Sequence, residues 1–295
     1  MAFYWWKQVE VWKRLPAGKL YDIYKKIRIL LKSFSKNDKL FIFSVCFIFI
    51  VVFSAIFAPF VSPYNPYRID TSAIFLPPSF SHPCGTDRLG RDILSRIIYG
   101  SRVSLEVSLV AVGVSILLGC MIGAVAGFYG KVVDSLLMRF TDIMLTFPTF
   151  FLVLAVVTFL GPSILNVMIV IGLTSWMGVA RLVRAEVLKL KNMEFIKAAK
   201  MFGASNLYII VKHLLPNVMG PVVVSATLGI GSAILTESAL SFLGLGVQPP
   251  TPSWGEMLSE GKDYLRIAWW LSFFPGLSIF LTVLSFTIIG ERLHK

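Results

Sequence analysis

Six long apolar segments constrain the fold of this chain more than any other feature. An α-helix needs about 20 predominantly apolar residues to cross the hydrocarbon core of a bilayer. Of the 295 residues, 56% are hydrophobic and only 15% are charged, which is typical of a protein whose solvent is mostly lipid. The sequence therefore predicts an all-α, polytopic membrane protein with six transmembrane helices. The predicted helices span residues 40–60, 105–129, 135–160, 164–180, 218–242 and 269–290.

The basic residues predict how these helices are oriented. Cytoplasmic loops of membrane proteins carry an excess of Lys and Arg. With a cytoplasmic N-terminus, 21 of the 28 Lys and Arg residues fall inside and seven fall outside. Both termini are therefore predicted to be cytoplasmic. The net charge of +12 is interpreted as a topology signal and not as a nucleic-acid surface, because no RNA- or DNA-binding motif accompanies it.

The spans divide the chain into five predicted parts. Residues 1–39 form a basic, aromatic tail without the cleavage site of a signal peptide. This tail is either an interfacial helix on the inner leaflet or a partly ordered extension whose charges enforce topology. The other parts are an anchor helix (40–60), an external loop (61–104), a five-helix core (105–290) and a cytoplasmic C-terminus (291–295).

Three local patterns in and around the spans carry further predictions. Apolar residues at helical spacing over 92–99 predict an amphipathic helix that lies flat on the outer surface before the second span. Glycines at every fourth position of that span predict close packing against a helix of this chain or of a partner. These glycines are Gly119, Gly123 and Gly127. In the third span, Arg139 and Asp142 are three residues apart and are predicted to neutralise each other.

A polar segment between two apolar spans, residues 194–217, reads EFIKAAKMFGASNLYIIVKHLLPN. It is too small to be a catalytic domain, and its two short amphipathic runs predict a helix–turn–helix on the cytoplasmic surface. Such a segment suits the docking of another protein.

Individual residues of the segment support this prediction. Ala198 and Ala199 keep one helix face thin, so that a partner can approach closely. Gly203 allows a turn that other residues resist. Ser205 is predicted to cap the second helix, and Pro216 is predicted to end it where the next span begins.

The spacing of this segment resembles the EAA loop of ABC importer permeases. Lys197 stands where the general motif has Glu, and His213 stands where it has Ile. The ending His-Leu-Leu-Pro-Asn is nevertheless similar to the dipeptide/oligopeptide/nickel branch of that family. Further blocks resemble the "C"-type permeases of this branch, namely Gly85-Thr86-Asp87, Leu89-Gly90-Arg91-Asp92, Leu94-Ser95-Arg96 and Leu240-Ser241-Phe242-Leu243-Gly244-Leu245-Gly246.

The resemblance implies a type I ABC importer permease, a multi-pass protein of the prokaryotic plasma (inner) membrane that is not itself an enzyme. It implies a heterodimer with a "B"-type permease, two cytoplasmic ABC ATPases and an extracytoplasmic solute-binding protein, with lipid around the pair and no nucleic acid. No cofactor or metal is implied for this chain, because the ATPases would use ATP and Mg²⁺. The chain accordingly lacks a G-x-x-x-x-G-K-[ST] loop.

The resemblance also implies which residues act. The implied ATPase-coupling residues, within a loop at 181–217, are Glu194, Lys197, Ala198, Ala199, Gly203, Ala204, Ser205, His213, Leu215, Pro216 and Asn217. The implied external-loop motif consists of Gly85, Thr86, Asp87, Gly90, Arg91, Asp92 and Arg96.

Two questions stay open at the level of the sequence. The first is the solute, for which a peptide is the leading interpretation and nickel or another small solute in the same family the alternative. A membrane enzyme or a secondary transporter is disfavoured, because no catalytic constellation or internal repeat is visible. His82 and His213 have no second ligand near them in sequence and predict no metal site. The second question is whether Glu237 and Ser241, in the fifth span, contribute to the pore or gate or only pack helices through hydrogen bonds, which is favoured for Glu237.

Overall fold

A computed structural model describes residues 39–294. The predicted tail, residues 1–39, lies outside the described residues apart from Lys39. Within the described range the regular structure is helical, and a single antiparallel bridge joins Thr86 and Asp92. The α-helices are α1 (Lys39–Ile56), α2 (Ala58–Val61), α3 (Ile93–Tyr129), α4 (Lys131–Thr146), α5 (Thr149–Leu160), α6 (Ile164–Leu173), α7 (Trp176–Leu190), α8 (Glu194–Met201), α9 (Asn206–Tyr208), α10 (Leu215–Phe242), α11 (Trp254–Gly261) and α12 (Trp270–His294). Short 3₁₀ turns lie at Thr71–Ala73 and Lys262–Tyr264, and a π turn, Ile209–Leu214, joins α9 to α10.

Five helical stretches of the described range are long and apolar enough to cross a membrane. They are α1, α3, α6 with α7, α9 through α10, and α12. The third predicted span, 135–160, is not one straight helix, because α4 and α5 meet at an angle of 83°. Pro148 explains the break, since a proline disfavours helical backbone in the residue before it and Phe147 is extended. Counting the bent pair as one span brings the total to six.

The amphipathic helix expected at 92–99 does not exist as a separate surface element, and that prediction was wrong. These residues form the first turns of α3, a continuous helix of 37 residues. The Asp92 carboxylate caps it by accepting a hydrogen bond from the Ser95 backbone N–H at 2.8 Å. No proline interrupts the helix. Ile93 is buried against Met257 and Trp270, so the apolar face packs on protein and not on the membrane surface.

The regularly spaced glycines of α3 mark a contact within the chain, with α7. A Cβ atom on Gly119 would lie 2.5 Å from the Cβ of Val179, and one on Gly127 would lie 2.9 Å from Cγ1 of Val187. Glycine at these positions therefore lets the two helices approach more closely than any side chain would allow.

Helix α4 is joined to α7 by two ion pairs. Arg184 makes a bidentate contact with Asp134, at 2.5 and 2.6 Å, and Arg181 bonds Asp142 at 2.5 Å. The predicted pairing of Asp142 with Arg139 was wrong. Because α4 lies against α7, Asp142 meets an arginine of another helix, whose planar guanidinium can bond carboxylates directly.

The helix that follows the polar segment is also longer than expected. Pro216 does not end the second helix, because α9, the π turn and α10 run on from Asn206 to Phe242. A proline removes one backbone donor and crowds the preceding turn. The widened π turn just before Pro216 accommodates that disturbance. The Asn217 side chain also donates a hydrogen bond to the His213 carbonyl at 2.6 Å.

Candidate functional site

The polar segment is fixed to the helical core by an aliphatic face. Ile196 of α8 and Ile209 of the π turn are completely buried, and they pack with Val183 and Val187 of α7. At the end of α3, the Lys200 ammonium lies 5.1 Å from the centre of the Phe128 ring, a cation–π distance. The segment is therefore attached to α3 and α7 of the core.

The bend between α8 and α9 has the geometry that the sequence predicts. Gly203 has a φ of +79°, in the left-handed region that favours glycine. Its N–H donates to the Lys200 carbonyl, and the Ala204 N–H donates to the Ala199 carbonyl, both at 3.0 Å. The Ser205 hydroxyl accepts a hydrogen bond from the Tyr208 N–H at 3.3 Å. The predicted turn at Gly203 and the predicted cap at Ser205 are confirmed.

The opposite face of the segment is an open hollow, here called the docking hollow. Its lining consists of Phe195, Ala199, Phe202, Gly203, Ala204, Ser205, Tyr208 and His213. Phe202 is 92% exposed, and its neighbour Met201 is 88% exposed. Contiguous apolar side chains that are exposed outside the membrane-spanning helices can mark an interaction surface.

Several other predicted coupling residues lie close in sequence to the residues that line the docking hollow. Glu194, Lys197 and Ala198 are exposed on α8. Leu215 is half-buried at the start of α10, and His213 lies between the rings of Phe195 and Tyr208, at centroid distances of 6.4 and 5.6 Å.

A second group of predicted residues forms a buried ionic cluster before and within α3. The Asp87 carboxylate accepts hydrogen bonds from Arg91 Nε at 2.5 Å and from Arg96 Nη1 at 2.8 Å. All three side chains are buried. Isolated buried charges are costly, so each of them requires further partners.

Two glutamates of α11 supply those partners, and the sequence interpretation missed both. Arg96 Nη2 lies 2.8 Å from Glu256 Oε2 and 3.0 Å from Glu260 Oε2, and Arg91 Nη2 lies 2.9 Å from both oxygens of Glu260. The only sequence signal for this pairing is the spacing. The two glutamates are four residues apart and therefore lie on one helix face, and the two arginines are five residues apart. Together with Asp87 these residues make the ionic cluster, which ties α11 to the start of α3.

Burial raises the pKa of the Glu256 carboxyl to about 7. The negative charge of Glu260 adds to the shift, while the positive charges of Arg96 and Arg91 oppose it. Glu256 Oε1 is buried and accepts no hydrogen bond from the described residues. The cluster therefore includes a carboxyl group that gains or loses its proton near neutral pH.

The other external-loop residues shape the loop around the cluster. The Thr86 hydroxyl accepts a hydrogen bond from Leu76 N–H at 2.8 Å, and the Thr86 carbonyl accepts one from Trp270 Nε1 at 3.1 Å. Gly85 and Gly90 both have positive φ, and a Cβ on Gly85 would lie 2.7 Å from the Trp270 ring. These positions therefore require glycine.

Asp92, besides capping α3, bonds His82 Nδ1 at 2.8 Å. No sequence pattern predicts this contact, which comes from the folding of the loop. Within residues 39–294, no three His, Cys, Asp or Glu side chains come close enough to hold a metal ion.

Glu237 is completely buried in α10 and has hydroxyl partners. One carboxylate oxygen accepts hydrogen bonds from Ser241 at 2.8 Å and from Ser253, at the start of α11, at 3.0 Å. The contact joins α10 to α11, which is the packing arrangement that the sequence interpretation favoured. Neither Glu237 nor Ser241 lines the cleft between α3, α6, α7 and α10.

Two family models match the chain, one of them over more than half of its length. A model described as the binding-protein-dependent transport system inner membrane component matches residues 116–295. Another, the N-terminal TM domain of oligopeptide transport permease C, matches residues 28–78.

Curated relatives and a solved structure agree with these matches. The dipeptide transport system permease protein DppC of Alkalihalophilus pseudofirmus is 44% identical over 259 residues, covering 88% of this chain and 85% of that protein. The di/tripeptide transport system permease protein DppC of Pseudomonas aeruginosa is 43% identical, covering 84% of each. A chain of the MetNI methionine ABC transporter in an inward-facing conformation has a TM-score of 0.53 at 16% identity, covering 66% of this chain and 93% of that one, a likeness of fold alone.

The chain therefore belongs to the inner-membrane components of binding-protein-dependent transport systems, the permease subunits of ABC importers. It is an integral, multi-pass protein of the prokaryotic plasma membrane and a non-catalytic subunit. The predictions of family, location and lack of catalysis are confirmed.

Proposed function

We propose that this chain forms half of the translocation pore of a peptide importer and couples that pore to a cytoplasmic ATPase through the docking hollow. The observation that carries the proposal is the docking hollow itself, an exposed aromatic surface on a segment whose other face is buried in the core. The names of the relatives favour a dipeptide or tripeptide as the solute. No feature of the described residues favours nickel.

The assembly belongs to the same proposal. A "B"-type permease completes the pore, two ATPases use ATP and Mg²⁺, and an extracytoplasmic binding protein delivers the peptide. The bent α4–α5 pair counts as one span, so an even number of spans puts both termini on one side. The excess of Lys and Arg assigns that side to the cytoplasm.

The attachment of the segment supports a mechanical role. Movement of an ATPase against the docking hollow would be transmitted through Ile196 and Ile209 to the core. The segment also continues into α10 without a helix break, so a displacement there moves a membrane-spanning helix directly. Alternating access would follow from the rocking of this helix and its neighbours.

The substitution Gly203→Asp tests the coupling role, and Gly161→Asp is its matched control. Both glycines have positive φ, +79° and +87°, and a Cβ on either would meet no atom within 4 Å. Each variant therefore places a side chain at a positive φ, but only Gly203 lines the docking hollow. We expect Gly203→Asp to lower the uptake of radiolabelled dialanine at least about tenfold, because a loss of only about 1.4 kcal/mol of docking free energy already weakens ATPase binding tenfold.

Uptake is measured in vesicles in which the assembly of the permease pair has been verified. The Gly161→Asp variant is expected to retain uptake. Equal uptake by both variants would contradict the coupling role. Uptake of Ni²⁺ without uptake of dialanine would replace the peptide with the alternative solute.

A further inference from the structure

A cleft of about 160 Å³ lies between α3, α6, α7 and α10, and its lining contains no charged side chain. Hydroxyl groups are its only polar side-chain atoms. They belong to Ser115, Ser175, Ser225, Ser232 and Thr236. Three of these residues, Ser225, Ser232 and Thr236, belong to α10. Together with Gly229 they lie on one face of that helix, at intervals of three or four residues.

The serine hydroxyls of the cleft differ from the threonine hydroxyls of α10 and α12. Ser and Thr side chains in such helices commonly bond the carbonyl four residues earlier. The four threonines of α10 and α12 follow this rule, with distances of 2.7–2.9 Å: Thr227, Thr236, Thr282 and Thr287. The four cleft serines make no side-chain hydrogen bond to any residue in the range 39–294.

Ser115 shows why this matters. Ser115 is only 5% exposed, and it lines the cleft. A hydroxyl that is removed from water without a partner costs free energy, and hydrocarbon offers no partner. The Ser115 hydroxyl therefore requires water or a polar solute in the cleft.

We infer that this cleft binds the main chain of a peptide as it passes through the pore, an inference that rests on the proposed function. A serine hydroxyl both donates and accepts, which matches the N–H and C=O groups of a peptide unit. Without charges in the lining, the cleft does not select side chains by their charge. A divalent metal ion would require carboxylate or imidazole ligands, which the lining lacks.

Thiol labelling of the assembled transporter tests this inference. Cys46, Cys84 and Cys120 are first replaced by alanine, and Ser225→Cys or Ser232→Cys is then introduced. A membrane-impermeant methanethiosulfonate reagent is added to vesicles with and without dialanine. We expect both cysteines to react, and we expect saturating dialanine to slow the reaction several-fold.

The control variant is Leu235→Cys. Leu235 lies three residues from Ser232 on the same helix and is half exposed, but it lines an apolar groove with Phe280. We expect its cysteine to react slowly and without any effect of dialanine. Reaction of Ser232→Cys no faster than Leu235→Cys would overturn the inference, because that serine would then face lipid or another subunit.

Uptake kinetics give the second measurement. Removing one hydroxyl from the cleft, as in Ser115→Ala or Ser232→Ala, should raise the KM for dialanine about two- to tenfold per lost hydrogen bond, with assembly intact. The inference would be refuted, and the proposed function would stand, if two results came from a complex that still imports dialanine. The KM of the alanine variants would be unchanged, and dialanine would not slow the labelling of the cysteine variants. A wild-type complex that imports no dialanine would refute the proposed function and this inference with it.

Discussion

The raised pKa of Glu256 gives the ionic cluster a measurable effect on stability. The carboxyl titrates near its usual 4.5 in the unfolded chain and at about 7 in the folded protein. Between these values the folded state holds a proton that the unfolded state has lost, so stability falls as pH rises through this window. Each pKa unit corresponds to about 1.4 kcal/mol, which makes the loss from this group on the order of 3 kcal/mol.

The substitution Glu256→Gln removes that titration. The amide oxygen still accepts from Arg96, which also keeps Asp87 and Glu260 as partners, at 2.8 and 3.0 Å. No arginine is therefore left without a counter-charge. We expect the variant to equal the wild type near pH 5 and to exceed it by on the order of 3 kcal/mol near pH 8.

The assay compares the thermal unfolding of wild-type and variant complexes in detergent across this pH range. Glu106→Gln, which removes an exposed carboxylate of α3 outside the ionic cluster, measures the effect of a charge change alone. A difference between wild type and Glu256→Gln that stays constant with pH would refute the reasoning. The reasoning would also be refuted if the wild type became more stable than the variant as pH rises.

Three further predictions concern other parts of the chain. Gly119→Leu should destabilise the protein by about 1–3 kcal/mol because its side chain would collide with Val179, whereas Gly113→Leu on the same helix meets open space; equal melting temperatures for the two variants would contradict this packing. Glu237→Gln should leave assembly intact and change dialanine uptake only modestly, and complete loss of uptake in an assembled complex would instead indicate a gate. The pKa of the Cys84 thiol is raised to about 11, chiefly by burial, so maleimide should modify it slowly at neutral pH until the protein is denatured; rapid labelling of the folded protein would contradict this.

Local chemistry made several elements predictable from the sequence. The turn at Gly203 and the cap at Ser205 depend on backbone and side-chain properties of a few neighbouring residues. The apolar spans were visible because their length is set by the bilayer. By contrast, the amphipathic pattern of 92–99 was assigned to a surface helix because periodicity identifies an apolar face without identifying what covers it. The structure covers that face with α11 and α12.

Contacts between distant residues could not be predicted in the same way. Arg96 and Glu256 are 160 positions apart, and no local rule pairs them. The sequence-based prediction pairs Asp142 with Arg139, on its own helix, because the sequence does not reveal the position of α7. Pro216 was expected to end a helix, since the π turn that accommodates it has no clear signature in the sequence.

Cross-linking at the docking hollow is the most direct test of the central claim. A photo-reactive residue at position 202, where Phe202 is fully accessible, is introduced into the transporter in intact cells. We expect a cross-link to a cytoplasmic ATPase subunit, with a yield that changes when ATP is hydrolysed. A cross-link to an extracytoplasmic protein, or labelling of Phe202→Cys by an impermeant reagent applied outside intact cells, would contradict it.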